Sequence, residues 1–388
     1  MQNVSGSVTA RGGRDVRVDV LRGLALLTIF LDHIPGDVLN QLTMRNFGFS
    51  DAAEIFVMLA GFASMIAYGR TFDREGLRAG LSRVARRVMR LYLFQVMLLL
   101  ATLVIVKLWA DHYNIAPHTM APLLKGGVPA IVRGVSLQAL PSNLDVLPLY
   151  IVLLAGFPLI YAMIRLSSWL ALAGSIALWL VVNAVPGLNL TNWIDGRGWF
   201  FNPFAWQIVF TIGALLAVVM TGREGGLPRR RWLALLCWAY LAVAFVETMP
   251  WHEWGLPDLA PVALAAPDKT DVSPLRLLHV LALVYLVLTW DGFRNVTRWA
   301  PGRWVEACGR NSLEIFSLGT LLSLLGRLVF RTYGASWEMQ VAVNLVGLTA
   351  MVALGLALDR ARRKARSTPL RPQRAAPAWA GMAVAPRR

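Results

Sequence analysis

Ten apolar runs of roughly 17 to 23 residues punctuate the chain, each long enough to cross a ~30 Å hydrocarbon core as a helix. They fall at 19–35, 51–69, 89–109, 145–164, 167–185, 203–221, 232–249, 275–290, 312–331 and 340–358. Apolar residues follow one another continuously within each run instead of alternating, which argues against strands and predicts an all-α, polytopic helix bundle. The fourth and fifth runs are separated only by Arg165 and its neighbours, so their boundary is soft. Between the runs, the links 35–50, 110–144, 250–274 and the shorter 186–202 are long enough to form structure of their own. The 110–144 link mixes polar and apolar positions and reads equally as a lid over a cleft or as an amphipathic connection. No internal repeat of the transporter kind stands out.

Charge orients the bundle. On alternate links, 1–17, 70–90, Arg165, 222–231, 291–310 and 359–388 together hold 28 of the 38 Lys and Arg residues. The 250–274 link instead carries Glu253, Asp258, Asp268 and Asp271 against Lys269. An excess of Lys and Arg on one side marks the cytoplasmic face, so both termini are expected there and 250–274 outside. The expected organisation is a disordered lead over 1–17, a membrane domain over 18–358, and a basic, proline-containing, disordered tail over 359–388.

Composition agrees. Only 15% of residues are charged, against about 25% in a typical soluble chain, and the mean hydropathy is +0.54. The net charge of +16 is therefore read as orientation and contact with anionic lipid, with the bilayer as partner and no nucleic acid. Cys237 and Cys308 are too few for a disulfide framework; one lies in an apolar run and the other in a polar link, so they are not expected to meet. No cleavable signal is expected, because the first run contains Arg22, Asp32 and His33.

The chemistry concentrates in the first two helices. Arg22 and His33 are eleven residues apart, almost three whole turns, and so share one face about 16 Å apart along the axis. Asp19 lies one turn before Arg22 and can pair with it. Asp32 adjoins His33, and the next helix opens with Asp51 and Glu54, so four ionisable groups collect at the external mouth. Such groups are costly at membrane depth and usually face a cavity or a partner. A histidine beside a carboxylate is what a general base needs, because the acid fixes the tautomer and stabilises the imidazolium. Capping is the plainer reading of Asp51, since Ser50 and Asp51 both suit an N-cap.

Several further residues are open to either a site or a structural role. His279 lies one turn inside Arg276 and either joins a site or makes a packing hydrogen bond. Asn202, Trp206 and Gln207 flank the start of the sixth run; amides and a ring suit a sugar, although Trp is also ordinary at a membrane interface. Asp145, with Asn143, has the same ambiguity. Arg310, Asn311 and Glu314 read either as a helix start or as contacts to a ligand. His112, His118 and His252 have no metal-ligand spacing, and no metal or permanently bound cofactor is expected.

The stretches DVLRGLALLTIFLDHIPG and FGFSDAAEIFVMLAGFASMIAYG, with LDVLPLYIVLL (144–154), FNPFAWQIVF (201–210), LRLLHVLALVYLV (275–287) and GRNSLEIFSLGTLLS (309–323), resemble the OpgC-type membrane proteins that modify osmoregulated periplasmic glucans. More distantly, Arg22 and His33 on the first helix, followed by IFVMLAGF (55–62), are similar to the acyltransferase-3 class of membrane O-acyltransferases; Glu54 directly before that run departs from the wider pattern. The resemblance implies a multi-pass protein of the bacterial inner membrane that moves a short acyl group, succinyl favoured, from cytoplasmic acyl-CoA to hydroxyls of a periplasmic glucan. It implies His33 as catalytic base with Asp32, Glu54 or Asp51 orienting it, and an acyl-histidine intermediate stays open. Arg22, Asp19, Arg310 and Asn311 would serve the donor, and His279, Asn202, Trp206, Gln207 and Asp145 the acceptor. The rival reading is a transporter or flippase using the same charges as an ion path.

Overall fold

The computed structural model describes residues 16–115, 120–222, 226–260, 262, 264–290 and 300–367, and each apolar run lies on a helix. Helix α1 is Val16–Asp32 and α2 is Ala52–Ser64. A π-turn over Met65–Gly69 leads into α3, Arg70–Tyr113. Short helices α4 (Ala121–Lys125) and α5 (Gly127–Val135) follow, then α6 (Val146–Leu166) and α7 (Ser168–Ala184). Next come α8 (Pro203–Thr221), α9 (Arg231–Thr248) and α10 (Pro274–Thr289). The last three are α11 (Ala300–Arg310), α12 (Ser312–Tyr333) and α13 (Trp337–Ser367). Among the described residues there is no strand, only one isolated bridge between Thr191 and Gly198.

Six helices are long and apolar enough to cross a membrane by length and composition; the continuous stretch Ala52–Tyr113, kinked at Gly76, counts as one of them, and α7 and α10 are apolar but shorter. The helix starts follow from their sequences. Asp51 caps α2 by accepting from Ala53 N, while Glu54 reaches back to Asp51 N, a complete capping box. Asn202 caps α8, and proline opens both α8 and α10, where its missing N–H costs nothing.

Small residues let the central helices approach closely, as membrane packing favours. α2 lies along α8, where a Cβ at Gly61 would overlap the Phe210 carbonyl and one at Gly213 the Met58 carbonyl. On its other side, α1 packs along α11.

Three links differ from their expected form. The 70–90 segment is helical, broken only at Gly76, where φ is 83°. The 291–310 segment contains α11, whose Ala307 and Cys308 are fully buried, so Cys308 lies in the core and not in a polar link. That helix is too short and polar to register as a span; its buried side is a narrow strip of small residues. The 110–144 link folds as α4 and α5, with Leu123 and Ala130 buried. Cys237 and Cys308 are both free. The lead up to Val16, the tail beyond Ser367, and His118 lie outside the described residues; α13 continues into the expected tail, and Asp359 pairs there with Arg310.

The expected topology is open to direct test. In a background lacking Cys237 and Cys308, a single cysteine at Ala265 should label with an impermeant reagent in intact spheroplasts. One at Ser367 should label only after permeabilisation, and the opposite pattern would invert the orientation.

Candidate active site

His33 follows directly on α1. Its Nδ1 lies 2.6 Å from the Ile29 carbonyl. A carbonyl only accepts, so in the neutral ring Nδ1 carries the proton and Nε2 keeps its lone pair. Among the described residues Nε2 has no hydrogen-bond partner. The next segment folds back over the end of α1. Thr43 Oγ1 donates to Asp32 Oδ1 at 2.5 Å, and Asn40 Nδ2 to the Asp32 carbonyl at 3.3 Å.

The carboxylates at the start of α2 have other partners than the imidazole. Asp51 Oδ2 meets Lys269 Nζ at 2.5 Å and Arg276 Nη2 at 3.0 Å. Glu54, fully buried, is paired with the same guanidinium, its Oε1 2.6 Å from Nη2. Two carboxylates thus face two cations, and the cluster is neutral as a unit. The expectation that Asp51 or Glu54 orients His33 is corrected: the Ile29 carbonyl holds the ring, because both acids are drawn to the nearer cations.

A cavity of about 1160 Å³ opens over this arrangement. Asp32, His33, Asp51, Asp145, Asn202 and Arg276 all line it, so residues from α1, α2, α6, α8 and α10 converge on one space. Its far wall carries Asn189, Asn192, Arg197, Trp199 and Phe200 from the 186–202 link. The segment 266–271 closes one side. Asn202 Nδ2 donates to Asp271 Oδ1 at 2.7 Å, and Trp206 Nε1 to the carbonyls of Lys269 (3.0 Å) and Thr270 (3.2 Å). Burial pushes the Asp271 carboxyl above its ordinary range, and the Asn202 bond partly offsets this. Trp206 therefore acts on the cavity by fixing the backbone that holds Lys269 over Asp51.

Three residues expected at the acceptor site do not line this cavity: Trp206, which braces its wall from behind, and His279 and Gln207. His279 Nδ1 is 2.7 Å from Ser50 Oγ, and the ring packs so closely on Gly48 that a Cβ there would overlap it. Gln207 bonds to Ser175 on α7, accepting its hydroxyl at 2.5 Å and donating to its carbonyl at 2.8 Å. Both satisfy polar groups between packed helices.

The residues expected at the donor end are engaged with the protein itself. Arg22 Nη1 is 3.9 Å from Asp19 Oδ1, and its Nη2 donates to the Leu59 carbonyl at 3.0 Å. Arg310 pairs with Asp359 and with Glu306, and the buried Asn311 donates to the carbonyls of Ala307 and Gly355. These bonds fasten α11 and α12 to α13. Glu314 pairs with Arg90 at 2.7 Å. A second cavity of about 410 Å³ lies on α3, lined by Thr71, Glu75 and Ser82 with Arg83, Arg86, Arg87 and Arg90. Among the described residues no His, Cys, Asp and Glu group could hold a metal ion.

The sequence model of the family described as OpgC protein matches residues 14–363, a span that contains every residue of both cavities. The chain belongs to the OpgC family. No curated protein and no solved structure matches it.

In this OpgC-family chain, three residues in or beside the candidate site escaped the sequence reading. Lys269 stood out only as a lone base among acids, and Arg276 only as a landmark for His279. Arg327, on α12, went unremarked, although an arginine well inside an apolar run was the available signal. Asn143, read only beside Asp145, turns out to be its partner. With its amide oriented so that oxygen faces the guanidinium, Asn143 accepts from Arg327 Nη1 at 2.7 Å and from Nη2 at 2.5 Å.

Proposed function

We propose that the protein is an O-acyltransferase that moves a short acyl group from a cytoplasmic acyl-CoA to a hydroxyl of a periplasmic glucan. The observation that carries this reading is His33: Nδ1 is committed to Ile29, while the residue lines a polar cavity large enough for a carbohydrate chain segment. Family membership supports the substrate class. The acceptor lies in the outer cavity, where the amides of Asn189, Asn192 and Asn202 suit hydroxyls and the Trp199 and Phe200 rings suit the apolar faces of sugars. The phosphates of the donor sit against Arg83, Arg86, Arg87 and Arg90, since guanidinium groups bind phosphate well. This moves the donor from Arg310 and Asn311, whose bonds are internal, to the open face of α3.

In the reaction His33 Nε2 takes the proton of the acceptor hydroxyl as its oxygen attacks the thioester carbonyl. The tetrahedral intermediate collapses with loss of the CoA thiolate, and the imidazolium returns the proton to that sulfur. The new ester remains on the glucan, and CoA leaves toward the cytoplasm. Asp32 and Asp145, neither of them ion-paired among the described residues, line the same cavity and favour the transient imidazolium, whereas the charge of Asp51 is already met by Lys269 and Arg276.

Mass spectrometry of periplasmic glucans from cells with and without the gene tests the reading. Glucans from cells with the gene should carry an added acyl mass. A change in glucan amount with no acyl difference would instead mean transport.

A further inference from the structure

Arg327 is a cation inside an apolar helix, and its surroundings leave its charge unanswered. Phe316, Gly319, Thr320, Ser323 and Arg327 fall at intervals of three or four residues along α12, so they share one face. The first four line a narrow crevice of about 10 Å³ that runs inward beneath His33. His33 and Asn143 line both this crevice and the outer cavity and so stand at their junction. Arg327 is one turn outward of Ser323, holds Asn143, and lies within electrostatic reach of His33.

Three other arginines of the bundle differ in one respect. Arg22 has Asp19, Arg276 has Asp51 and Glu54, and Arg310 has Asp359. Arg327 has no carboxylate within ion-pair distance among the described residues, and its Nε is buried without a partner. Its one partner, the Asn143 amide, is neutral. A buried cation without a counter-charge is costly, and such a cost is sustained where a ligand supplies the anion.

We infer that Arg327 selects an anionic acyl group: the free carboxylate of a dicarboxylic acyl chain reaches its guanidinium behind Asn143, the residue at the junction of crevice and cavity, placing the thioester carbonyl beside His33. This rests on the acyltransferase reading above and assigns that site its acyl specificity. Nε and one Nη give the carboxylate a two-point contact, with the other Nη left on Asn143.

The test compares two donors of equal chain length, succinyl-CoA and butyryl-CoA, which differ in the terminal charge. Wild type should favour succinyl-CoA, and in Arg327→Gln the succinyl-to-butyryl ratio of kcat/KM should fall by about 30-fold or more. Asn143→Asp provides a second route, since a built-in carboxylate would occupy the guanidinium and lower the same ratio without removing the arginine. An unchanged ratio in both variants, even with both rates reduced, would overturn the inference and leave Arg327 structural. If wild type transfers neither group, the acyltransferase reading fails, and thermal stabilisation of the purified protein by succinate against butyrate decides the inference alone. Stabilisation by succinate that Arg327→Gln abolishes would uphold an anion site; equal responses to the two acids would overturn it.

Discussion

Replacing His33 with Gln is expected to lower acyl transfer by about 10²–10⁴-fold, the usual contribution of a general base, with the protein still folded. Gln retains a side-chain donor for the Ile29 carbonyl but has no basic nitrogen to take a proton. A purely structural role for His33 would leave the rate near that of wild type. The measurement uses proteoliposomes with acyl-CoA inside and glucan outside, comparing wild type and His33→Gln as matched, monodisperse preparations. The rate in wild type should also rise with pH as the imidazolium loses its proton, and that ascending limb should vanish in the variant. Near-wild-type transfer by His33→Gln would remove His33 from the chemistry.

The second large effect is expected at Arg276. Its guanidinium bridges Asp51 and Glu54, and Glu54 is wholly buried. Arg276→Met would leave Glu54 without its ion-pair partner and Asp51 with Lys269 alone, and stranding members of a buried ion pair typically costs about 3–5 kcal/mol. The thermal midpoint of the detergent-solubilised protein should fall accordingly. Adding Glu54→Gln should recover much of the loss, because Asp51 then keeps Lys269 and neither carboxylate of the cluster is left unpaired. Recovery without activity would show that the cluster shapes the cavity wall as well as stabilising it. No loss in Arg276→Met would mean that water reaches the cluster and screens it.

Much of the frame was legible because it is local. Continuous apolar runs placed every helix that the bundle presents as a membrane segment. The interval from Asp19 to Arg22 predicted their pairing, and Ser50–Asp51 followed by Glu54 predicted the start of α2. The gathering of Asp32, His33 and Asp51 at one mouth was likewise readable, since a short link between two antiparallel helices leaves little choice.

The sequence by itself determined which residues share a helix face and which helices begin or end near one another, because backbone spacing and capping act within a few residues. Only the tertiary structure decided who meets whom across the bundle. Arg276 reaches Glu54 across 222 positions and Asp51 across 225, and Asn143 takes Arg327 as partner from a different helix. The close approaches of α2 to α8 and of α1 to α11 are likewise tertiary, permitted by a few glycines that no periodicity announces. In a low-dielectric interior opposite charges attract strongly, so Asp51 and Glu54 went to Arg276 and Lys269, and the imidazole was left to a backbone carbonyl.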